Sequence, residues 1–89
     1  MQTADIEGEV HSFVITNFLF GQPLDLQPDD SLLDKGVIDS TGVLELVAFL
    51  GKRYAIHVDD EDLIPENLDS IRNIAAFVVR KLDSQAGNR

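Results

Sequence analysis

Apolar residues recur along this chain at intervals of three and four in three separate stretches, the period of an amphipathic helix. The first stretch runs from Asp5 to Phe20, where Ile6, Val10, Phe13, Val14 and then Asn17 or Phe18 fall on one stripe. Thr3 is placed to cap it, Glu7 and Glu9 sit in the early turns where negative charge suits the helix dipole, and Gly21 followed by Pro23 supplies a stop. The second, from about Ser40 to Tyr54, lines up Val43, Leu46, Val47, Leu50 and Tyr54, with Leu44 and Ala48 beside the stripe and partly exposed. Gly51 weakens this helix by about 1 kcal/mol relative to alanine, tolerable so near its end. The last, Ile71 to Leu82, follows a capping Ser70 and carries Ile71, Ile74, Ala75, Val78 and Leu82 on one face, with Phe77 alongside. Arg80 and Lys81 then fall in its last turn, where cations favour the dipole.

Between the first two helices, Gln22 to Asp39 contains Pro23, Pro28 and Gly36 and reads as a long loop. Leu24, Leu26, Leu32 and Leu33 would pin it to the core. A loop of this length in so small a domain is more often functional or topologically necessary than idle. Here it lets the first two long helices run in similar directions. Asp59 to Ile64 reads as a short third helix, with Pro65 ending it or starting a turn. The expected fold is all-α, a bundle of three longer helices and one short one. The 89 residues make one small domain, with a core over about 5–82 and a flexible polar tail over 83–89.

Composition narrows the function. An apolar content of 44% excludes wholesale disorder. The absence of cysteine excludes a disulfide framework or thiolate metal site and fits a reducing compartment. The N-terminal residues lack the basic region of a signal peptide, and no apolar run approaches the roughly 18–20 residues of a membrane span. A cytoplasmic, monomeric protein is expected. Sixteen acidic against seven basic residues give a formal charge of −9, which argues against nucleic acid and for basic protein partners.

The chemistry concentrates at Asp39-Ser40, where the loop gives way to the second helix. A hydroxyl there lies at the positive end of a helix dipole, a favourable place to attach an anionic group. Serine and aspartate are also preferred caps, so capping is the plain alternative. The apolar Val37-Ile38 lead-in, the long loop and the lack of any rival centre favour the first reading. His11 and His57 have no nucleophile or ligand beside them in sequence, so a hydrolase pairing Ser40 with a histidine needs tertiary proximity. The acidic run Asp59-Asp60-Glu61-Asp62 invites a calcium reading. Counted from Asp59, however, the positions needing glycine and glutamate in an EF-hand are Ile64 and Ser70. No metal site and no catalytic residue are expected.

The pattern Leu32-Leu33-Asp34-Lys35-Gly36-Val37-Ile38-Asp39-Ser40, followed by an apolar, Glu-bearing helix in an acidic chain, resembles the acyl, peptidyl and D-alanyl carrier protein superfamily. The resemblance spans nearly the whole chain, including the Ile56-His57-Val58 turn and the helix after Ser70-Ile71. It implies a four-helix acyl-carrier-protein-like bundle in which Ser40 accepts 4′-phosphopantetheine from coenzyme A. Asp39 would contact the modifying phosphopantetheinyl transferase or help place its metal ion. Glu45 would belong to an acidic recognition helix, and Thr41, Leu44 and Ala48 would form an exposed apolar patch read by partners. Asp59, Asp60, Glu61 and Asp62 are further candidates for partner contact. The partners implied are an acyl- or aminoacyl-activating ligase and a downstream transferase or synthase.

Two departures qualify the likeness. Fatty-acid-synthesis carriers usually have leucine after the serine and more acid near the end of this helix, whereas this chain has Thr41-Gly42 and Gly51-Lys52-Arg53. The Ile-Asp-Ser-x-Gly pattern is nearer to stand-alone D-alanyl, aminoacyl or peptidyl carriers. The alternative function is an unmodified acidic helical docking domain.

Overall fold

The computed structural model describes residues 3–19 and 25–87. Gly21, Pro23 and Leu24, expected as a helix stop and a loop anchor, lie outside these residues, as does Phe20. All regular structure among the described residues is helical: α1 (Thr3–Phe18), α2 (Ser40–Tyr54), a 3-10 turn (Asp60–Asp62), α3 (Pro65–Leu68) and α4 (Ile71–Gly87). This is the all-α bundle of three longer helices and a short one that the sequence predicts.

The core is the meeting of three stripes. Ile6, Val10 and Val14 of α1, Leu46, Leu50 and Tyr54 of α2, and Ile71, Ile74, Ala75, Phe77 and Val78 of α4 are buried together. α1, α2 and α3 all pack against α4. Phe13 and Phe18 are only half-buried and Asn17 is exposed, so the α1 stripe narrows towards its end. On its outer flank Phe13 stacks on Phe49 with ring centroids 4.1 Å apart and meets Phe18 edge-on at 5.7 Å.

Several local expectations are corrected. Thr3 is the first residue of α1 and so lies inside the helix it was expected to cap. The third helix is not Asp59 to Ile64. That stretch closes as a single 3-10 turn because Ile64 is extended (φ −125°, ψ 152°), and Pro65 then opens α3. Proline suits that first position, since its missing N–H would be unpaired there and its fixed φ is already helical. α4 runs on past Leu82 to Gly87, through residues read as polar tail, so Arg80 and Lys81 do not occupy its last turn. They reach sideways instead, Arg80 donating to Asn67 Oδ1 at 2.7 Å and Lys81 pairing with Asp62 at 2.7 Å.

The long loop is stapled to the α3–α4 junction. Asp69 receives the Ser31 hydroxyl at 2.6 Å and the Leu33 N–H at 2.9 Å on its carboxylate, and the Leu32 N–H at 2.7 Å on its carbonyl. Arg72 adds an N–H to the Pro28 carbonyl and a guanidinium to Asp29, at 2.9 and 2.8 Å. Leu26 and Leu32 are buried as expected, but Leu33 is 44% exposed. The turn that frees it ends at Gly36 with φ +69°, a left-handed conformation glycine adopts without strain.

α1 and α2 are antiparallel and do not run in the similar directions expected of them. Glu9 meets Arg53 and Tyr54, Phe13 meets Phe49 and Phe18 meets Gly42, so the helices are joined at both ends of α2. Glu9 accepts the Tyr54 hydroxyl at 2.6 Å and the Arg53 guanidinium at 2.8 Å. The Tyr54 hydrogen bond, helped by Arg53, holds the Glu9 carboxyl below the usual range. Burial and that same carboxylate push the Tyr54 hydroxyl up, so it stays a neutral donor. At the other end, a Cβ on Gly42 would come within 2.8 Å of Ile38 Cγ1 and 3.0 Å of Phe18 Cε1. The glycine is there because the end of α1 and the lead-in to α2 close on it.

Gly42→Ala should therefore destabilise by a net of about 1–2 kcal/mol, overpacking of roughly 1–3 kcal/mol outweighing the helix preference for alanine. Urea unfolding checks this, and an unchanged midpoint would contradict the packing described. For Glu9, a depressed folded pKa contributes stability above its ordinary value of 4.5 that is lost as pH falls through the folded value. The urea-midpoint difference between wild type and Glu9→Gln should accordingly be full at neutral pH and shrink on acidification below about pH 5.

Candidate functional site

The buried pair Val37 and Ile38 fixes where the loop enters α2. Asp39 follows in extended conformation (φ −118°, ψ −174°), and its Oδ1 accepts the Gly42 N–H at 2.7 Å. The cap is thus Asp39 alone. Ser40 becomes the first helical residue, exposed, with no hydrogen bond to its hydroxyl among the described residues. An aspartate cap removes the capping duty that the sequence left shared between the two residues.

Ser40 stands on the rim of an apolar crevice of about 310 Å³. Val43 and Leu44 of α2 form one wall, Leu33 of the long loop another, and Leu63, Ile64, Pro65 and Leu68 the third. Among the described residues, Asp69 is the one charged residue lining it. Three large apolar side chains are notably exposed among the described residues: Leu33 at 44%, Leu44 at 61% and Ile64 at 43%. All three face this crevice. Isolated exposed apolar residues need no explanation, but their convergence beside an exposed hydroxyl makes this the candidate site.

The other predicted residues distribute around it. Thr41, Leu44, Glu45 and Ala48 are all exposed on α2, but they do not form one apolar patch. Leu44 joins the crevice, whereas Thr41 and Glu45 line a polar depression on the other flank with Asp39, Asn17 and Phe18. The acidic run divides as well. Asp60 and Glu61 are exposed, while Asp59 and Asp62 turn towards Lys81 at 3.6 and 2.7 Å. The Lys81 hydrogen bond, with the Asp59 N–H, pulls the Asp62 carboxyl below its usual range, and Asp62 raises the Lys81 ammonium. Arg53, read as a departure at the end of α2, is engaged by Glu9.

No histidine lines the crevice among the described residues. His57 is largely solvent-exposed and its Nε2 lies 2.8 Å from Asp59, so the structure assembles no serine–histidine pair at Ser40. Leu33, Leu63, Ile64 and Asp69 are site residues that sequence reading missed. They sit in irregular segments where hydrophobic periodicity gives no facing, and only the folded positions of three segments bring them together. No described helix is long and apolar enough to cross a membrane.

No family model matches the chain. The probable acyl carrier protein PigG of Serratia sp. (strain ATCC 39006) is 24% identical over 75 residues, covering 84% of this chain and 86% of that protein. Among solved structures, a chain from one described as the crystal structure of an FAD-dependent dehydrogenase superposes with a TM-score of 0.70 and 25% identity. It covers 78% of this chain and 97% of its own length. Over most of its length the chain is thus similar in sequence to a probable acyl carrier protein, and its all-helical bundle with an Asp-capped, serine-initiated second helix is consistent with that likeness.

Proposed function

We propose that this protein carries an acyl or aminoacyl intermediate as a thioester on a 4′-phosphopantetheine arm attached to Ser40, and presents it to partner enzymes. The observation that carries the reading is the division of labour at the start of α2. Asp39 takes the capping hydrogen bond at 2.7 Å, leaving the Ser40 hydroxyl exposed beside an apolar crevice. These residues fit such an arm. A phosphodiester on Ser40 would sit at the N-terminus of α2, where its charge gains roughly 0.3–1 kcal/mol from the dipole when exposed. The arm, when attached, supplies the thiol that holds the cargo. Val43, Leu44, Leu63 and Ile64 supply apolar walls against which a cargo of matching character can rest.

Asp39 is also the residue we assign to contact with the modifying transferase, since its second carboxylate oxygen is left for a partner or that partner's metal ion. The exposed apolar triad Leu33, Leu44 and Ile64, with Glu45, Asp60 and Glu61 outside it, is the surface we assign to ligases, transferases or synthases. Thr41-Gly42 supports a specialised aminoacyl or peptidyl carrier, and the Phe18 contact supplies a packing reason for the glycine. The structural relative adds a partner class. The matched chain is shorter than this one, of carrier size, in a structure described as an FAD-dependent dehydrogenase. We therefore include a flavin-dependent dehydrogenase among the enzymes that act on the tethered cargo.

Incubation with a phosphopantetheinyl transferase and coenzyme A should add the mass of one arm, and Ser40→Ala should abolish the gain. Unchanged mass with several competent transferases would instead favour the unmodified docking domain. Leu44→Asp should leave arm attachment detectable while lowering acyl or aminoacyl transfer from a cognate ligase by about tenfold or more, the size expected for a central apolar contact.

A further inference from the structure

Two walls of the Ser40 crevice come from irregular segments, and each is held nearest its apolar side chains by a polar clasp. The Leu33 wall hangs on Asp69, which takes the Leu33 N–H at 2.9 Å and the Ser31 hydroxyl at 2.6 Å. The other wall, Leu63 and Ile64, follows the 3-10 turn closely, because their N–H groups donate to the carbonyls of Asp60 and Asp62 at 3.1 and 2.9 Å. Wherever that turn sits, these two side chains go with it. α4 holds it in place. Lys81 Nζ lies 2.7 Å from Asp62 Oδ2 and 3.6 Å from Asp59 Oδ2, and 5.7 Å from the centre of the buried Phe77 ring. A lesser strut runs from Arg80 to Asn67 Oδ1 at 2.7 Å, and from Asn67 Nδ2 to the Asp62 carbonyl at 3.0 Å.

We infer that Lys81 is a positioning residue whose ion pair with Asp62 latches the Leu63–Ile64 wall towards α2 and sets how far the crevice beside Ser40 opens to its cargo. The inference rests on Ser40 being the attachment point and deepens that reading. The two clasps differ in kind. Asp69 binds a backbone N–H and a neutral hydroxyl, which leave no cation for salt to screen. Lys81 and Asp62 oppose full charges and keep side-chain exposures of 23% and 20%, so water and ions reach them. Asp59 shares the cation and is itself faced by His57 at 2.8 Å. The Lys81 clasp is the one that yields. A partly exposed pair of this kind shifts an opening equilibrium by about two- to fivefold.

The test uses the full chain with Lys81→Met, which keeps the apolar stem over Phe77, and Lys81→Arg, which keeps the charge. In the unmodified protein, amide hydrogen exchange at Leu63 and Ile64 should quicken about two- to fivefold in Lys81→Met, with Val10 and Leu46 unchanged. Lys81→Arg should restore wild-type exchange. Raising sodium chloride to about 1 M should quicken exchange at the same two amides in wild type but not in Lys81→Met. With Ser40 loaded from octanoyl-CoA by a phosphopantetheinyl transferase, hydroxylamine should cleave the octanoyl thioester faster in Lys81→Met by a similar factor. Wild-type exchange at Leu63 and Ile64 in Lys81→Met, or a uniform loosening that includes α1, overturns the latch. Faster exchange with unchanged cleavage overturns its effect on cargo. Failure of Ser40 to load at all refutes the attachment reading instead, and the exchange measurements decide the latch without it.

Discussion

Burial of the apolar face of α4 is the constraint on which the other parts depend. Ile71, Ile74, Ala75, Phe77 and Val78 present one continuous surface, and α1, α2 and α3 each find their own burial against it. Among the described residues there is no second core to fall back on. The polar staples follow from this choice. Asp69 and Arg72, at and beside the start of α4, catch the long loop, while Arg80 and Lys81 further along catch the acidic turn and Asn67. One helix therefore orders the two irregular segments that would otherwise have little to hold them.

The site is a by-product of that ordering, made useful by a cap. Both irregular segments bring apolar side chains to the same flank of α2, leaving Leu33, Leu44 and Ile64 exposed around a crevice and not sealed in the core. Beside it, Asp39 closes the helix N-terminus with its own carboxylate and so leaves Ser40 without an internal task. A hydroxyl that is structurally idle, exposed and next to a dipole is suited to modification, because adding an anionic group breaks no internal contact. Catalysis would ask for more, such as a base within hydrogen-bond reach. The site offers apolar walls and a single carboxylate already occupied by the loop, in keeping with a carrier.

Charge plays two distinct parts. The excess of acid is left at the surface, where Glu45, Asp60 and Glu61 stay exposed. Three of the cations act as fasteners between segments. Arg53 goes to Glu9, Arg72 to Asp29 and Lys81 to Asp62, each joining segments far apart in sequence. This changes the meaning of the basic end of α2. Arg53 is a fastener to α1, its charge offset by Glu9, and leaves Lys52 as the basic residue presented there.

The sequence by itself determined the helices that matter and the junction between them. Residues at spacings of three and four define α1, α2 and α4, and the apolar-then-acidic lead-in places Asp39-Ser40 at the start of α2, because these signals are local and repeat. It could not decide which of the two residues caps, since both side chains are suited and only the formed turn aligns Asp39 Oδ1 with the Gly42 N–H. Nor did it show that Pro65 begins α3, that α4 outruns its apolar stripe, or that Leu33 and Ile64 turn to one crevice. Those outcomes rest on contacts such as Asp69 with Leu33 and Lys81 with Asp62, whose partners periodicity does not pair. Where a side chain's environment is built by its own helix the sequence was enough. Where it is built by another segment, only the packed structure could assign it.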